Sequence, residues 1–158
     1  TIETRLAELG ITLPDAPAPA ANYVPYVISG NLLYVSGQIS PVKGRLGADM
    51  AVPAGAEAAR GCGLALLAQA RAALGSLDRV RRVVRLGGFV SSTPDFTDQP
   101  EVINGCSDLM VAVFGDKGRH ARAAVSVPAL PRGVAVEIDH AGEDELLSLV
   151  CNRVSLTL

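Results

Sequence analysis

Tryptophan is missing from the 158 residues, and aromatic side chains make up only 4% of them. Binding to single-stranded nucleic acid relies on aromatic platforms for the bases, so this scarcity argues against it. An excess of basic charge is also missing. The formal net charge is -2 and the isoelectric point about 5.6, whereas phosphate-binding chains are usually basic. The run Arg79, Arg81, Arg82, Arg85 is the local exception. The three cysteines, Cys62, Cys106 and Cys151, lie far apart with no CxxC pair, and His120 and His140 are the two histidines. That is poor material for a structural zinc site. An odd cysteine count argues against a disulfide framework, so reduced thiols and a cytoplasmic setting are expected. No apolar run reaches the roughly 18 residues of a membrane helix. The opening TIETRLAELG carries charges where a signal peptide needs an apolar core.

What is present describes a globular chain: 49% hydrophobic and 19% charged residues over a length that suits one domain, 1–158. Residues 1–10 place Ile2, Leu6 and Leu9 at helical spacing, with Gly10 able to end the helix. The Pro/Ala-rich stretch 13–22 predicts an extended connector. Residues 23–29 and 32–40 read as two strands around Gly30-Asn31, with Pro25 confining the first to an edge or a bulge. A loop follows over 41–47.

Residues 54–75 predict a helix with a small-residue face, in which Gly61 and Gly63 suggest close approach to a sheet and Gly75 suits the C-cap. Alternation over 79–92 predicts a strand with a possible kink at Gly87-Gly88. Residues 93–100 read as a turn and helix entry, and 101–114 as a helix closed by Gly115. The order is β-β-α-β-α-β-β, an α+β fold with both crossover helices on one face of one sheet.

The stretch ARAAVSVPALPRGVAVEID, 121–139, reads as two strands around a Pro/Gly turn. An antiparallel hairpin across LPRG would pair Val127 with Val134 and Val125 with Val136. It would turn Val125, Val127, Val134, Val136 and Ile138 toward the helices. The other face would then carry Arg122, Ala124 and Ser126 opposite Ala135, Glu137 and Asp139, with Arg122 across from Asp139 and diagonal to Glu137. On a solvated face such a pair contributes about 0–1 kcal/mol. Alternatively, Arg122 grips a small carboxylate through its planar fork, while Glu137 orients the arginine or moves a proton.

SGQIS (36–40) after the Gly-Asn turn, followed by HARAAVSVPALPRGVAVEID, resembles the RidA/YjgF family of reactive-intermediate deaminases, formerly called L-PSP endoribonucleases. The resemblance spans roughly residues 20–141. The segment NGCSDLMVAVFGDKGRHAR looks more like a divergent branch than the deaminase core group. The resemblance implies a chorismate-mutase-like α+β fold and a homotrimer with pockets in clefts between subunits. It also implies hydrolysis of enamine or imine intermediates to 2-oxo acids and ammonia, with no metal or organic cofactor. By the same resemblance Arg122 corresponds to the arginine that holds the substrate carboxylate, and Glu137 to the glutamate associated with a water. Tyr23, Ser36 and Gly37 correspond to further substrate-binding positions. Asn104 and Ser107 compete for the place of a helix asparagine. Ala124 stands where core-group members usually carry cysteine. The N-terminal helix and connector, 1–22, and the extension 142–158 fall outside the pattern.

An imine is already electrophilic, so a small set of parts suffices: Arg122 to hold the carboxylate and Glu137 to position or deprotonate a water. Tyr23 also fits an interface-packing aromatic, and Ser36-Gly37 a bulge that the sheet needs. Cys106, among Leu and Met, fits the core. His120, two positions before Arg122, either tunes the pocket or is a solvated loop-edge histidine. The arginine run fits a solvated or interfacial strand face. Three functions therefore compete: an imine deaminase, a trimeric module that binds small carboxylates without turnover, and, most weakly, an endoribonuclease. A small carboxylated metabolite is the expected partner; nucleic acid and membrane are not.

Overall fold

The structure, a computed structural model, describes residues 1–145. Helix α1 (Ile2–Glu8) is N-capped by Thr1, whose side chain accepts from the Thr4 amide, and it buries Leu6. Strands β1 (Tyr26–Ser29) and β2 (Leu32–Ile39) form an antiparallel hairpin. Helix α2 (Val52–Leu74) follows and ends at Gly75, whose φ of 80° supplies the left-handed cap. Strand β3 (Val80–Ser91), helix α3 (Gln99–Phe114), strand β4 (Ala121–Val127) and strand β5 (Val136–Asp144) complete the fold. The expected α+β order and the helix boundaries agree with the structure to within a few residues. Of the extension predicted over 142–158, residues to Asp144 continue β5, and 146–158 lie outside the described residues.

The sheet order is β1-β2-β5-β3-β4, and both long helices cover the same face. Helix α2 lies over β2 and β5; α3 lies over β3 and β4. Between them they bury Cys62, Leu66, Ile103, Cys106 and Met110 against Val83, Leu86, Val90, Val136 and Ile138. Each large apolar side chain removed from water in this way contributes about 1.5–3 kcal/mol. Gly63 packs against α3 rather than the sheet: a methyl group there would lie 2.9 Å from Leu109 Cδ2 and 3.1 Å from Cys106 Sγ. Gly88 lets α3 settle onto β3, since a methyl group would lie 2.7 Å from Ile103. No bulge occurs at Gly87-Gly88. The register shifts of β3 against β5 fall earlier, at Val80/Arg82 and Val83/Arg85.

The expected hairpin between the last two strands is absent. Strand β4 is an edge strand running parallel to β3, and β5 enters the middle of the sheet, antiparallel to both β2 and β3. Instead of turning back beside β4, the chain crosses the end of β3. The Ser91 amide donates to Ala135 O at 2.9 Å, and the Ala135 amide donates to Val42 O at 3.1 Å. Strand β5 buries every second residue over nine positions, a pattern suited to a central strand covered on one side.

The swap also reverses the faces of β4. Arg122, Ala124 and Ser126 lie in register with Leu86, Gly88 and Val90 on the helix side, while Val125 faces away and is 45% exposed. Small and polar residues suit this edge, where a long side chain can run over the rim to water.

Candidate functional site

The expected site residues divide between the two faces of the sheet. Glu137, on β5, points away from the helices, toward Ile39 on one side and Phe89 on the other. Beside it, the register of β2 shifts between Val35 and Gln38. This bulge brings Gly37 against the Glu137 carboxylate so closely that any side chain on residue 37 would overlap it. No hydrogen bond or ion pair among the described residues holds that carboxylate. Burial, reinforced by the charge of Asp139, raises its pKa above the ordinary value. Asp139 itself pairs with Arg85 at 3.6 Å.

Ser36 fastens the proline-rich connector to the sheet. Its hydroxyl donates to Val24 O at 2.7 Å and its amide to Pro25 O at 2.9 Å. The Tyr23 hydroxyl in turn accepts from the Ala20 amide at 3.3 Å. The connector thus walls one side of a cavity of about 910 Å³ that Tyr23, Ser36, Gly37, Arg85, Arg132 and Glu137 help to line. Arg132 holds a φ of 60°, a left-handed conformation that a non-glycine residue adopts at a cost of about 1 kcal/mol or more. Nothing in the local sequence pattern points to Arg132 or Arg85 here; only the crossing of the 128–135 segment and the central place of β5 bring them in.

Arg122 is not in this cavity. It lies on the helix side of the β4 edge, where Nη1 donates to Ser107 Oγ at 3.0 Å and Nη2 to Pro100 O at 3.2 Å. Ser107 also meets His120 Nε2 at 2.9 Å, and His120 Nδ1 meets Gly118 O at 2.5 Å. Asn104, three residues before Ser107 on α3, is exposed, so Ser107 is the helix residue that reaches the arginine. The His-x-Arg spacing was the available signal, since alternate residues of a strand share a face. The expected cross-strand approach of Arg122 to Asp139 and Glu137 does not occur within one chain. Parallel pairing of β4 with β3 turns the arginine toward α3.

The remaining candidates are structural. Cys106 is fully buried and its thiol is pushed up to about 12, chiefly by burial, as befits a core residue. Three of the clustered arginines meet carboxylates of β5: Arg79 pairs with Asp144, Arg81 with Glu143 and Arg85 with Asp139. No described helix is long and apolar enough to cross a membrane.

Comparison with known proteins places this geometry in a wider group. A family model described as "YjgF/chorismate mutase-like, putative endoribonuclease" matches residues 3–138. Protein TCP17 of Trypanosoma cruzi is 53% identical, over 87% of this chain and 91% of its own length. Among solved structures, protein Atu1372 of Agrobacterium tumefaciens is 51% identical with a TM-score of 0.84, covering 90% of this chain and 92% of that one. RidA of an Antarctic Psychrobacter is 28% identical with a TM-score of 0.56, covering 82% and 94%. The chain is thus much nearer in shape to Atu1372 than to that RidA.

Proposed function

The chain belongs to the RidA/YjgF, chorismate-mutase-like family, and on that premise we propose that it hydrolyses small carboxylated imines or enamines to 2-oxo acids and ammonia. The observation that carries this reading is the Glu137 carboxyl. It is raised in pKa, lies beside Gly37 and is open to a large cavity. A carboxyl shifted in that direction is a stronger base than an ordinary carboxylate and is suited to taking up and returning a proton. Water adds to the imine carbon, its proton passing to Glu137. Glu137 returns that proton to the nitrogen, giving a carbinolamine. It then takes the hydroxyl proton and passes it to the amine as the carbon–nitrogen bond breaks, so the carbonyl forms and ammonia leaves. No outside oxidant or reductant is needed.

The carboxylate anchor in this proposal is Arg122 of a neighbouring copy. Arg122 and Glu137 point to opposite faces of one sheet, so a site using both draws on two subunits of a trimer. The outward sheet face supports such packing, because Val27, Tyr34, Ile39 and Val125 stand exposed there. A second reading, binding of small carboxylates without turnover, draws on Arg122 being tied within its own chain to Ser107 and Pro100. Ala124 in place of the family cysteine favours it as well.

The test generates 2-iminobutyrate enzymatically and follows its loss. Acceleration by wild type, with at least a tenfold deficit in Glu137→Gln and Arg122→Ala, is the expected result. No acceleration, with saturable binding of 2-oxobutyrate, establishes the binding module instead. Sedimentation of the wild type checks the trimer.

A further inference from the structure

The cluster at the β4 edge contains more than an anion anchor. Gly118 O can only accept a hydrogen bond, so the His120 Nδ1 beside it at 2.5 Å carries the hydrogen. In the neutral ring Nε2 is then the acceptor, and the Ser107 hydroxyl at 2.9 Å donates to it. Burial holds His120 below the usual imidazole range. The Arg122 charge acts in the same direction, the Gly118 carbonyl against it, and the ring is neutral at pH 7. The same serine oxygen accepts from Arg122 Nη1 at 3.0 Å. Ser107, His120 and Arg122 are each only partly buried. A hydroxyl bonded to a neutral imidazole, with that imidazole fixed by a third group, is the general arrangement of an activated nucleophile.

We propose that Ser107 is a nucleophile that hydrolyses small carboxylic esters through an acyl-serine, with His120 as its base and Arg122 as its electrostatic support. Ser107 Oγ attacks the ester carbonyl carbon while its proton passes to His120 Nε2. The carbon–oxygen bond to the alcohol then breaks, and the departing alkoxide takes that proton. Water attacks the acyl-serine, giving its proton to Nε2, and the serine hydroxyl is restored as the acid leaves. The net reaction is ester plus water to acid plus alcohol. Ser107 and Pro100 occupy two of the guanidinium's donors. The others remain for the carbonyl oxygen, where negative charge grows in the transition state.

The experiment treats the full chain with p-nitrophenyl acetate and follows both p-nitrophenolate release and the position of the acetyl group by peptide mass mapping. The expected result is a burst of phenolate with acetyl on Ser107, both lost in Ser107→Ala. Acylation should slow by about 10²–10³-fold in His120→Gln, within the range of a lost general base. Native Ser107 should also label about 100-fold faster than Ser107 in the denatured chain, a comparison that holds even if the histidine variant does not fold. Absence of acetyl on Ser107 in folded wild type overturns the proposal. So does labelling no faster than in the denatured chain, or an unchanged rate in a folded His120→Gln. Imine hydrolysis as proposed above does not use Ser107 as a nucleophile, so the two readings stand or fall separately.

Discussion

Arg122 and Glu137 project from opposite faces of the same sheet. Arg122 sits level with Leu86 on the helix side, and Glu137 sits beside Phe89 on the outer side. A site that needs both groups is therefore split between chains, and subunit mixing detects this. Arg122→Ala and Glu137→Gln are each expected to be at least tenfold slower toward imine. Refolding the two together should restore a measurable fraction of wild-type activity, since mixed assemblies pair an intact arginine with an intact glutamate. No recovery in confirmed mixed oligomers would count against the shared site.

Gly37 is required by the bulk of Glu137. In Gly37→Ala the new methyl group overlaps the carboxylate and must displace it or shift the β2 bulge. The expected cost in stability is less than about 1 kcal/mol, because the atom met first is the end of a flexible side chain with a cavity to move into rather than a close-packed core group. Denaturant titration measures it. Imine hydrolysis should fall further than stability alone explains, because the displaced group is the proposed proton carrier.

His140 sets an acid limit on the fold. It is buried against α2 and α3 side chains, Nδ1 has no hydrogen-bond partner among the described residues, and burial lowers its pKa to about 4. The folded value lies below the unfolded one of 6.5. Stability from keeping this ring neutral is therefore complete above about pH 6.5 and is lost as pH falls toward 4. The slope approaches about 1.4 kcal/mol per pH unit. Glu137 contributes in the opposite sense, since its raised pKa favours folding on the acid side. Unfolding curves at pH 7 and pH 5 should separate clearly for wild type and much less for His140→Gln.

Arg79 and Asp144 form the ion pair most exposed to loss. Asp144 is fully buried and is gripped by two guanidinium nitrogens, at 2.5 and 3.3 Å. Arg79→Ala removes that grip. Losing those charge-assisted bonds should cost about 1.5–3 kcal/mol, toward the lower end because Arg79 is 31% exposed. Arg81→Ala, at the more exposed pair with Glu143, should cost less than Arg79→Ala. Melting curves of the two variants make the comparison.

Much of the fold was legible because it is local. The 54–75 periodicity corresponds to α2 at Val52–Leu74, and the glycine after each long helix ends it. Pro25 precedes an edge strand, as its missing amide hydrogen requires. The pairing of β4 was not legible. Alternation shows that 121–127 is a strand but not which neighbour it takes, and the wrong neighbour reversed the inward face. The valines drew the eye, yet Val125 points outward and Arg122 inward.

The sequence by itself determined the elements and their order, because helix and strand periods and turn residues act over a few positions; the family was legible through the resemblance carried by SGQIS and the Arg-led strand. Only the tertiary structure decided that β5 inserts between β2 and β3. Long-range burial governs that choice: a strand apolar at every second position gains most at the centre, and one carrying arginine, alanine and serine loses least at the rim. From that single choice follow the separation of Arg122 from Glu137 and the meeting of Ser107 with His120.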